Sequence, residues 1–485
     1  MKQLTVDVAV IGGGTAGLSA YRAAKQHANH VVMIEGGPFG TTCARVGCMP
    51  SKLLIAAAEA SHQAQSTDAF GVHIEGAVVV DSKQVMARVK SERDRFVGFV
   101  VEGVDSIPSE DKIEGYAKFV GTHTLQVDGH TQIHAERIVI ATGSRPAYPQ
   151  VWNELGDRLV VNDDIFDWDD LPASIAIFGP GVIGLELGQA LHRLGVQVHM
   201  FGVGGNVGPL TDPAVREYAT QTFKHEFPLY PDVKLEHMKR NGNAVDIRYV
   251  DDHGTLQDIK VNYVIAATGR RPNVDKLALE SLSLDLDSKG VPIADPLTMQ
   301  SSMPHIFIAG DASNQLPLLH EAADQGRIAG DNAGRYPTLQ NGLRRSAISV
   351  VFSDPQIAMI GMTYQEAQRR LGACNCLVIG EVSFENQGRS RVMLKNKGLL
   401  RIYAEQGTGI LMGAEMIGPA AEHLAHLLAW AHQQQMTIAQ MLDMPFYHPV
   451  IEEGVRTALR SAADQLDSNS DCATTCMECE QEGMA

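Results

Sequence analysis

Two copies of a glycine-rich turn, each between an apolar strand and a helix, constrain the fold of this chain most strongly. The first copy follows the apolar run 7–11 and reads Gly-Gly-Gly-Thr-Ala-Gly from Gly12 to Gly17. The second follows the run 175–178 and reads Gly-Pro-Gly-Val-Ile-Gly from Gly179 to Gly184. The order strand, glycine turn and helix is typical of dinucleotide-binding α/β domains. The sequence therefore predicts two such domains.

Each glycine of the first turn has a separate physical task. Gly12 turns the chain, Gly14 lets the backbone approach a pyrophosphate, and Gly17 lets the helix pack closely on the sheet. Phosphate is expected at the helix N-terminus. The next strand ends at Glu35, about 20 residues beyond the loop, where a carboxylate accepts hydrogen bonds from an adenosine ribose. This acid argues against a 2′-phosphate at the first site.

The second turn repeats the glycine spacing of the first, with Gly179, Gly181 and Gly184 in the same roles. Downstream of each turn an apolar strand ends in Ala-Thr-Gly, at residues 141–143 and 267–269. Glycine breaks a strand and redirects the chain. We therefore interpret both Ala-Thr-Gly segments as exits from the nucleotide-binding domains.

Two cysteines, Cys43 and Cys48, lie shortly after the first fingerprint. Cys48 precedes an apolar helical run at 53–58, which places it at a helix N-terminus, where backbone N–H groups favour a thiolate. Gly47 between them gives the backbone freedom to close a small disulfide ring. This arrangement predicts a thiol/disulfide redox enzyme with its dithiol beside a bound cofactor.

Size and composition narrow the class of protein further. A chain of 485 residues exceeds one ordinary core and indicates about three domains. The net charge of −17 argues against a nucleic-acid surface. We see neither a secretory signal at the N-terminus nor an apolar run of about 18 residues, so we expect a cytoplasmic protein without a membrane span. Seven cysteines fit a functional pair in a reducing compartment better than a secreted disulfide scaffold.

With these motifs the chain resembles the class I pyridine nucleotide-disulfide oxidoreductases, and in pattern the dihydrolipoyl dehydrogenases among them. The resemblance covers nearly the whole length and includes the segments 306–312 and 448–453. It implies FAD on the first fingerprint, NAD on the second and a homodimer formed by a C-terminal domain. The small-molecule partner that it implies is a dithiol or disulfide.

The fold class expected from these features is α/β, with two doubly wound dinucleotide-binding domains and a C-terminal α+β dimerisation domain. The alternating apolar stretches 347–352 and 398–403 indicate an antiparallel sheet in that last domain. We predict an FAD-binding domain at 1–150 and 273–343, an NAD-binding domain at 151–272, a dimerisation domain at 344–463, and an acidic, cysteine-containing, disordered tail at 464–485.

The resemblance assigns roles around the cysteine pair. It makes Cys48 the thiol beside the flavin and Cys43 the interchange thiol that reacts with substrate. Lys52, one helical turn beyond Cys48, matches the lysine that points at the flavin N5 region, where a cation stabilises reduced flavin. Glu186 matches the residue that pairs with this lysine.

A base is implied near the C-terminus. His448 and Glu453 match the base and its orienting carboxylate, which act across the dimer interface on the partner's disulfide. Dihydrolipoyl dehydrogenases often carry another histidine where this chain has Phe446, and a threonine where it has Val450. These departures leave the substrate open.

The resemblance also assigns the nucleotide contacts. Asp311 is expected at the ribityl and phosphate region of the flavin. The full set of expected cofactor contacts is Gly12, Gly14, Gly17, Glu35, Thr42, Lys52, Ala117, Thr142, Gly143 and Asp311 for the flavin nucleotide, and Gly179, Gly181, Gly184 and Gly269 for the nicotinamide nucleotide. No resident metal is predicted.

The type of nicotinamide nucleotide is inferred from the strand after the second turn. Relatives that prefer NAD place an acid about where Met200 stands, and users of NADP place arginines just after it. This chain has neither, and it has no lysine or arginine between Val196 and Leu210. NADH is therefore the expected donor or product.

Further departures from the family pattern leave alternatives open. Arg45 follows the interchange thiol and either lowers the pKa of the thiols or points to solvent. Cys472, Cys476 and Cys479 in the tail either relay electrons as the C-terminal cysteine pair of mercuric reductase does, ligate a soft metal, or are unreactive. Cys374 and Cys376 are expected to be structural.

Three functional hypotheses follow. The first is a dihydrolipoyl dehydrogenase-like enzyme that passes electrons between a small dithiol, the Cys43–Cys48 disulfide, FAD and NAD. The second is an NAD(P)H-dependent reductase of a metal ion or another disulfide that uses the tail cysteines. The third is a flavin and thiol redox sensor, for which the sequence supplies no effector domain. The sequence leaves open the physiological substrate and membership of a large dehydrogenase complex.

Overall fold

The computed structural model describes residues 1–372 and 374–466. Most of the predicted tail, including Cys472, Cys476 and Cys479, lies outside the described residues. Thirteen helices follow one another in the described part: α1 Thr15–Ala24, α2 Thr42–Val46, α3 Cys48–Gln65, α4 Ser82–Asp105, α5 Asn162–Ile165, α6 Val182–Arg193, α7 Pro213–Lys224, α8 Leu319–Arg335, α9 Tyr364–Leu371, α10 Gly388–Val392, α11 Ala421–Gln433, α12 Ile438–Leu442 and α13 Glu453–Ala463.

The strands belong to several sheets. Those before the second glycine turn are β1 Lys2–Ile11, β2 Val31–Glu35, β3 Lys112–Glu114, β4 Ala117–Gly121, β5 Thr124–Val127, β6 Thr131–Ile140, β7 Ser144–Pro146, β8 Leu159–Val161 and β9 Ser174–Phe178. Those after it are β10 Gln197–Phe201, β11 Leu229–Tyr230, β12 Lys234–Asn241, β13 Ala244–Val250, β14 Leu256–Val261, β15 Tyr263–Ala266, β16 Arg270–Pro272, β17 Ile306–Ile308, β18 Ile348–Val351, β19 Gln356–Gly361, β20 Leu377–Ser383, β21 Leu399–Glu405 and β22 Leu411–Gly418.

The first sheet has the strand order β3-β2-β1-β6-β5-β4, and β17 also pairs with β6. Its β3, β2, β1, β6 and β17 run parallel, whereas β4 and β5 are antiparallel additions. Helices α1 and α8 pack closely against each other. A Cβ at Gly326 of α8 would lie only 2.2 Å from the carbonyl oxygen of Ala16 in α1. The glycine lets the two helix backbones touch.

The second sheet is wholly parallel, with the order β11-β10-β9-β15-β8. An antiparallel sheet of β12, β13 and β14 lies beside it, and β7 pairs with β16 in a two-stranded ribbon between the first two units. Because the carboxyl ends of parallel strands share one edge, each glycine turn lies at the edge where nucleotides bind in such folds.

The third sheet is antiparallel, with the order β18-β19-β22-β21-β20, and helices α11 and α13 pack on it. Its core is formed by aliphatic side chains of these strands and helices, among them Leu400, Ile402, Leu424 and Leu459. Two α/β units and a C-terminal α+β unit confirm the fold class predicted from the sequence.

Candidate active site

The first glycine turn is shaped so that only glycine fits at two of its positions. Gly12 has φ of +113°, and a Cβ there would lie 2.3 Å from the carbonyl oxygen of Ala141. A Cβ at Gly17 would lie 1.8 Å from the carbonyl oxygen of Gly12. Gly14 differs, because a Cβ there would meet no atom within 4 Å. Open space therefore faces this glycine.

Helix α1 starts directly after Gly14, and no side chain caps its first N–H groups. Uncapped amides at the start of a helix carry partial positive charge and bind anions. The open space at Gly14 and the free amides together fit the pyrophosphate of a dinucleotide.

Glu35 ends β2 as the sequence predicts. Its carboxylate accepts hydrogen bonds from the amides of Gly13, at 2.6 Å, and Gly37, at 2.7 Å. The amide of Gly115 donates to the carbonyl oxygen of Glu35 at 2.9 Å, which brings the segment that ends at Ala117 to the same edge of the sheet. The acid and Ala117 therefore lie in one region, at the end expected for an adenosine.

The remaining predicted flavin contacts gather on the neighbouring strands. Thr142 and Gly143 follow β6, and Asp311 follows β17, which pairs with β6. The Thr142 hydroxyl oxygen is buried and has no hydrogen-bond partner among the described residues. Buried polar atoms are normally satisfied, so this hydroxyl fits a ligand contact. Together with the open turn, it shows that the residues present fit FAD.

Sequence reasoning missed two residues that support Asp311. The hydroxyl of Ser144 donates to the Asp311 carboxylate at 2.7 Å, and Arg270 donates to the Ser144 oxygen at 2.9 Å. Both directly follow the Ala-Thr-Gly segments that were interpreted as domain exits. These two residues therefore orient the expected flavin ligand.

The second turn repeats the geometry of the first. Gly179 has φ of +106°, and a Cβ at Gly184 would lie 2.0 Å from its carbonyl oxygen. A Cβ at Gly181 would meet nothing within 4 Å, and α6 begins after it without a side-chain cap. Gly269 also has a positive φ, +114°, and open space beside it. These residues fit a second dinucleotide.

The strand register corrects the position expected for the residue that reads the ribose at the second turn. Ile11 pairs with Ile34 in the first sheet, and Glu35 follows. In the second sheet Phe178 pairs with Phe201, so the residue equivalent to Glu35 is Gly202. Met200 is fully buried in the core and does not face a nucleotide.

Cys43 and Cys48 are both free thiols, Cys43 in the first turn of the short helix α2 and Cys48 at the start of α3. A hydrogen bond joins their two side chains. This bond lowers the pKa of Cys48 to about 7, with Lys52 acting in the same direction and burial opposing it. The same bond, together with burial, raises the pKa of Cys43. Cys48 is therefore the thiol that ionises first.

Lys52 and Glu186 form the pair expected from the sequence. The ammonium of Lys52 lies 2.7 Å from one carboxylate oxygen of Glu186, whose side chain is 5 % exposed. The amide of Phe352 donates to the other oxygen at 3.0 Å, and the Phe352 ring centre lies 4.5 Å from the Lys52 ammonium. No sequence signal pointed to Phe352, which comes from the C-terminal unit.

His448 and Glu453 also form the predicted contact. The Nδ1 atom of His448 lies 3.0 Å from the Glu453 carboxylate, and the histidine side chain is 81 % exposed. Arg456 donates to the other Glu453 oxygen at 2.7 Å. Partial burial raises the pKa of Glu453, but hydrogen bonds from His448 and Val450 outweigh it and lower the pKa overall. The ionised carboxylate holds the Nδ1 atom of a ring that is largely exposed.

Arg45 is not among the groups that most affect the pKa of the thiols. The cation that lowers the pKa of both thiols is Lys52. Arg45 instead acts on Asp163, where its charge partly offsets the rise in pKa that burial causes. Thr42, another residue expected at the cofactor, is the exposed first residue of α2.

A cavity of about 600 Å³ lies at the far end of α3 from the thiols. Its lining includes Glu59, His62, Arg193 and Lys395, with charges of both signs, and none of the residues assigned to chemistry. Within the described residues, no group of three or more His, Cys, Asp and Glu side chains is arranged to hold a metal ion. No helix in that part of the chain is long and apolar enough to cross a membrane.

Two dinucleotide cradles and an adjacent pair of cysteines define a nucleotide-dependent thiol/disulfide oxidoreductase. Residues 6–326 match the pyridine nucleotide-disulphide oxidoreductase family, and residues 347–459 match the dimerisation domain of that family. The chain belongs to this family, whose members contain FAD and use NAD(P)H. The resemblance and the cofactor classes predicted from the sequence are confirmed.

Curated relatives span almost the whole chain. Dihydrolipoyl dehydrogenase of Bacillus subtilis is 29 % identical over 465 residues, covering 94 % of this chain and 98 % of the relative. Mercuric reductase of Shigella flexneri is 28 % identical over 481 residues, covering 96 % and 83 %. The Cu(II) complex of the HOCl-induced flavoprotein disulfide reductase RclA from Escherichia coli has the same fold, with a TM-score of 0.78 at 20 % identity, over 96 % of this chain and all of that one.

Proposed function

We propose that this protein is an FAD-dependent oxidoreductase that passes electrons between a small dithiol, the Cys43–Cys48 pair, FAD and a nicotinamide nucleotide, as in dihydrolipoyl dehydrogenase. The observation that carries the proposal is the pair of adjacent free thiols, Cys43 and Cys48, next to the Lys52–Glu186 ion pair. The interaction between the two thiols lowers the pKa of Cys48 to about 7. An unperturbed cysteine has a pKa of about 8.5. Cys48 is therefore about half ionised at pH 7, far more than an ordinary thiol.

The exchange starts from the Cys43–Cys48 disulfide. A substrate thiolate attacks the sulfur of Cys43, the disulfide bond breaks, and Cys48 leaves as a thiolate. A thiol of lower pKa leaves faster, so the asymmetry of the pair directs the attack to Cys43. The second substrate thiol then attacks the substrate sulfur of the mixed disulfide and releases Cys43. Two electrons now reside on the pair, and the substrate has become a disulfide.

His448 is the proposed base that takes the substrate protons in these steps. Its Nδ1 atom is held by Glu453, so Nε2 is the nitrogen that exchanges the proton. Because the side chain lies exposed on the surface of its own chain, we propose that it serves the thiols of the partner subunit in the homodimer.

When bound, FAD supplies the two-electron acceptor that links the thiol pair to the nicotinamide nucleotide. We propose that Gly12, Gly14 and Gly17 hold its pyrophosphate, with Glu35 and Asp311 on its two halves. Lys52 stays beside Cys48 and keeps the thiolate charge compensated. We assign these functions to the domains predicted from the sequence: FAD binding to 1–150 and 273–343, nicotinamide binding to 151–272 and the dimer contact to 344–463.

Anaerobic turnover with dihydrolipoamide and NAD⁺ tests the proposal. We expect NADH formation that is lost in Cys48→Ser and retained in the control Cys374→Ser, a cysteine outside the site. Absence of turnover in the unmodified holoenzyme with dihydrolipoamide would reject this substrate class.

A second candidate is supported by different features of the chain. The relatives that match over most of their length include mercuric reductases, and Phe446 and Val450 depart from the usual dihydrolipoyl dehydrogenase pattern. The C-terminal segment of the sequence also carries Cys472, Cys476 and Cys479. On this alternative the enzyme reduces a soft metal ion or another disulfide at the expense of NAD(P)H. Replacing the three tail cysteines by serine distinguishes the two, because metal reduction is then lost while dihydrolipoamide oxidation is kept.

A further inference from the structure

The two nucleotide sites differ at the residue that reads the adenosine ribose. The strand pairing makes Gly202 the counterpart of Glu35. In each site the residue directly before this position accepts a backbone hydrogen bond from the first glycine of the turn: Gly12 N–H donates to the Ile34 carbonyl oxygen and Gly179 N–H to the Phe201 carbonyl oxygen, each at 2.8 Å. The second site therefore has no carboxylate where the first has Glu35.

The surroundings of Gly202 leave no room for such an acid. A Cβ at this position would lie 2.5 Å from the carbonyl oxygen of Pro231 and 2.8 Å from the ring of Pro180. Pro180 occupies the place of Gly13, whose amide holds the Glu35 carboxylate in the first site. A proline has no N–H to donate. Both the space for an acid and the donor that would fix it are missing.

The loop that follows carries no charged side chain of its own from Val203 to Leu210. Val203 is 85 % exposed, and Gly204 and Gly205 have positive φ and open space beside them. The two charged side chains that hydrogen-bond to this loop are of opposite sign. Asp232 accepts from the amide of Gly204 at 2.9 Å, and Arg216 donates to the side chain of Asn206 at 3.3 Å.

We propose that the second site does not distinguish NADH from NADPH by charge and binds both with similar affinity, with Gly202 as the residue that sets this property. Selection for NAD needs a carboxylate that binds the ribose 2′-hydroxyl and repels a 2′-phosphate, and selection for NADP needs a guanidinium that binds the phosphate. Both nucleotides, rather than NADH alone as expected from the sequence, are then bound at this site. This property of the site goes beyond the proposed thiol chemistry and does not depend on the thiol substrate.

Calorimetric titration of the oxidised holoenzyme tests the proposal directly. NAD⁺ and NADP⁺ are the probes, because neither can reduce the bound flavin, and no thiol substrate is present. We expect dissociation constants within a factor of about five of each other, which is about 1 kcal/mol. A ratio above about 50 in either direction would overturn the proposal.

Variants of Val203 locate the 2′-position. Val203→Arg is expected to tighten NADP⁺ binding about tenfold and Val203→Glu to weaken it about tenfold, with NAD⁺ changed less than about twofold in the arginine variant. Val79→Arg, at a valine that is 83 % exposed and lies outside this loop, is the matched control and leaves both constants unchanged. An unchanged NADP⁺ to NAD⁺ ratio in both Val203 variants would show that the loop does not face the ribose, contrary to the proposal.

Discussion

The ammonium of Lys52 lies 2.7 Å from the carboxylate of Glu186, and this ion pair joins the thiol-bearing helix α3 to α6, the helix of the second glycine turn. The two charges act on Cys48 in opposite directions. Lys52 lowers the pKa of Cys48, and Glu186 raises it. The state of the thiol therefore depends on a contact between the two nucleotide-binding units.

Substitutions of the two partners are expected to move the ionisation of Cys48 in opposite directions. The lowered pKa means that the thiolate exists above about pH 7 and is lost as the pH falls through that value. Lys52→Met removes the cation and raises the pKa towards about 8.5, the unperturbed value. Glu186→Gln leaves Lys52 uncompensated and lowers the pKa. The measurement is thiolate absorbance near 240 nm in the reduced enzyme against pH. Shifts of the same sign in both variants would contradict this account.

Loss of the proposed base is expected to slow turnover without affecting the fold. General acid–base catalysis typically contributes 10²- to 10⁴-fold, so His448→Gln is expected to lower kcat with dihydrolipoamide by at least about 10²-fold. Glu453→Gln keeps the ring but weakens its orientation, and a smaller loss is expected. The matched control is His253→Gln, at an exposed histidine on the β13–β14 connection, which keeps full activity. Equal activity of His448→Gln and the control would remove the base from the mechanism.

The two kinds of glycine in the first turn are expected to respond differently to alanine. A Cβ at Gly14 meets no atom of the chain, so Gly14→Ala folds normally but obstructs the pyrophosphate and weakens FAD binding by at least about tenfold. A Cβ at Gly17 would lie 1.8 Å from a backbone oxygen, so Gly17→Ala destabilises the chain itself. Thermal melts of the apoprotein and FAD titrations separate the two effects. Unaltered FAD affinity in Gly14→Ala would place the nucleotide elsewhere.

Glu415 is expected to stabilise the contact between the unit that carries the second glycine turn and the C-terminal unit. This carboxylate is fully buried and accepts hydrogen bonds from the amides of Thr211, Asp212 and Tyr364 at 2.8–2.9 Å. Glu415→Gln replaces an acceptor by a donor, at a cost of about 2 kcal/mol, which in a chain of this length lowers Tm by about 2 °C.

The control for this substitution is Glu381→Gln, which removes the partly exposed partner of Arg401. An exposed ion pair contributes less than about 1 kcal/mol, so a Tm change of about 1 °C or less is expected. Similar melting temperatures for Glu415→Gln and Glu381→Gln would show that the buried carboxylate does not stabilise the contact.

Local features, such as the glycine turns and the start of α3, could be predicted from the sequence because they depend on the sterics of one short segment. The spacing of Gly12, Gly14 and Gly17 reflects a turn, an open approach and a helix packed on a strand, all within one short segment. The position of Cys48 at a helix start follows from the apolar run after it in the same way. The two cradles and the thiol helix were therefore predicted with correct element types.

Contacts between segments that are distant in the sequence could not be predicted from it. Phe352 meets Lys52 and Glu186, and Ser144 meets Asp311, only because separate units pack together. The ribose-reading position was placed at Met200 because the end of β10 is defined by its hydrogen bonds to β9, which a sequence does not show. Gly202 also lacks the acid or arginine that would have marked it.

The absorbance of the Cys43→Ser enzyme tests the central claim, that Cys48 is the thiol in contact with the flavin, most directly. With oxidised FAD bound and the pH raised to about 9, above the pKa of an ordinary thiol, Cys48 is ionised even without the hydrogen bond with Cys43. We expect a long-wavelength thiolate-to-flavin band in Cys43→Ser and none in Cys48→Ser. A band in Cys48→Ser and not in Cys43→Ser, or in neither, would contradict the account.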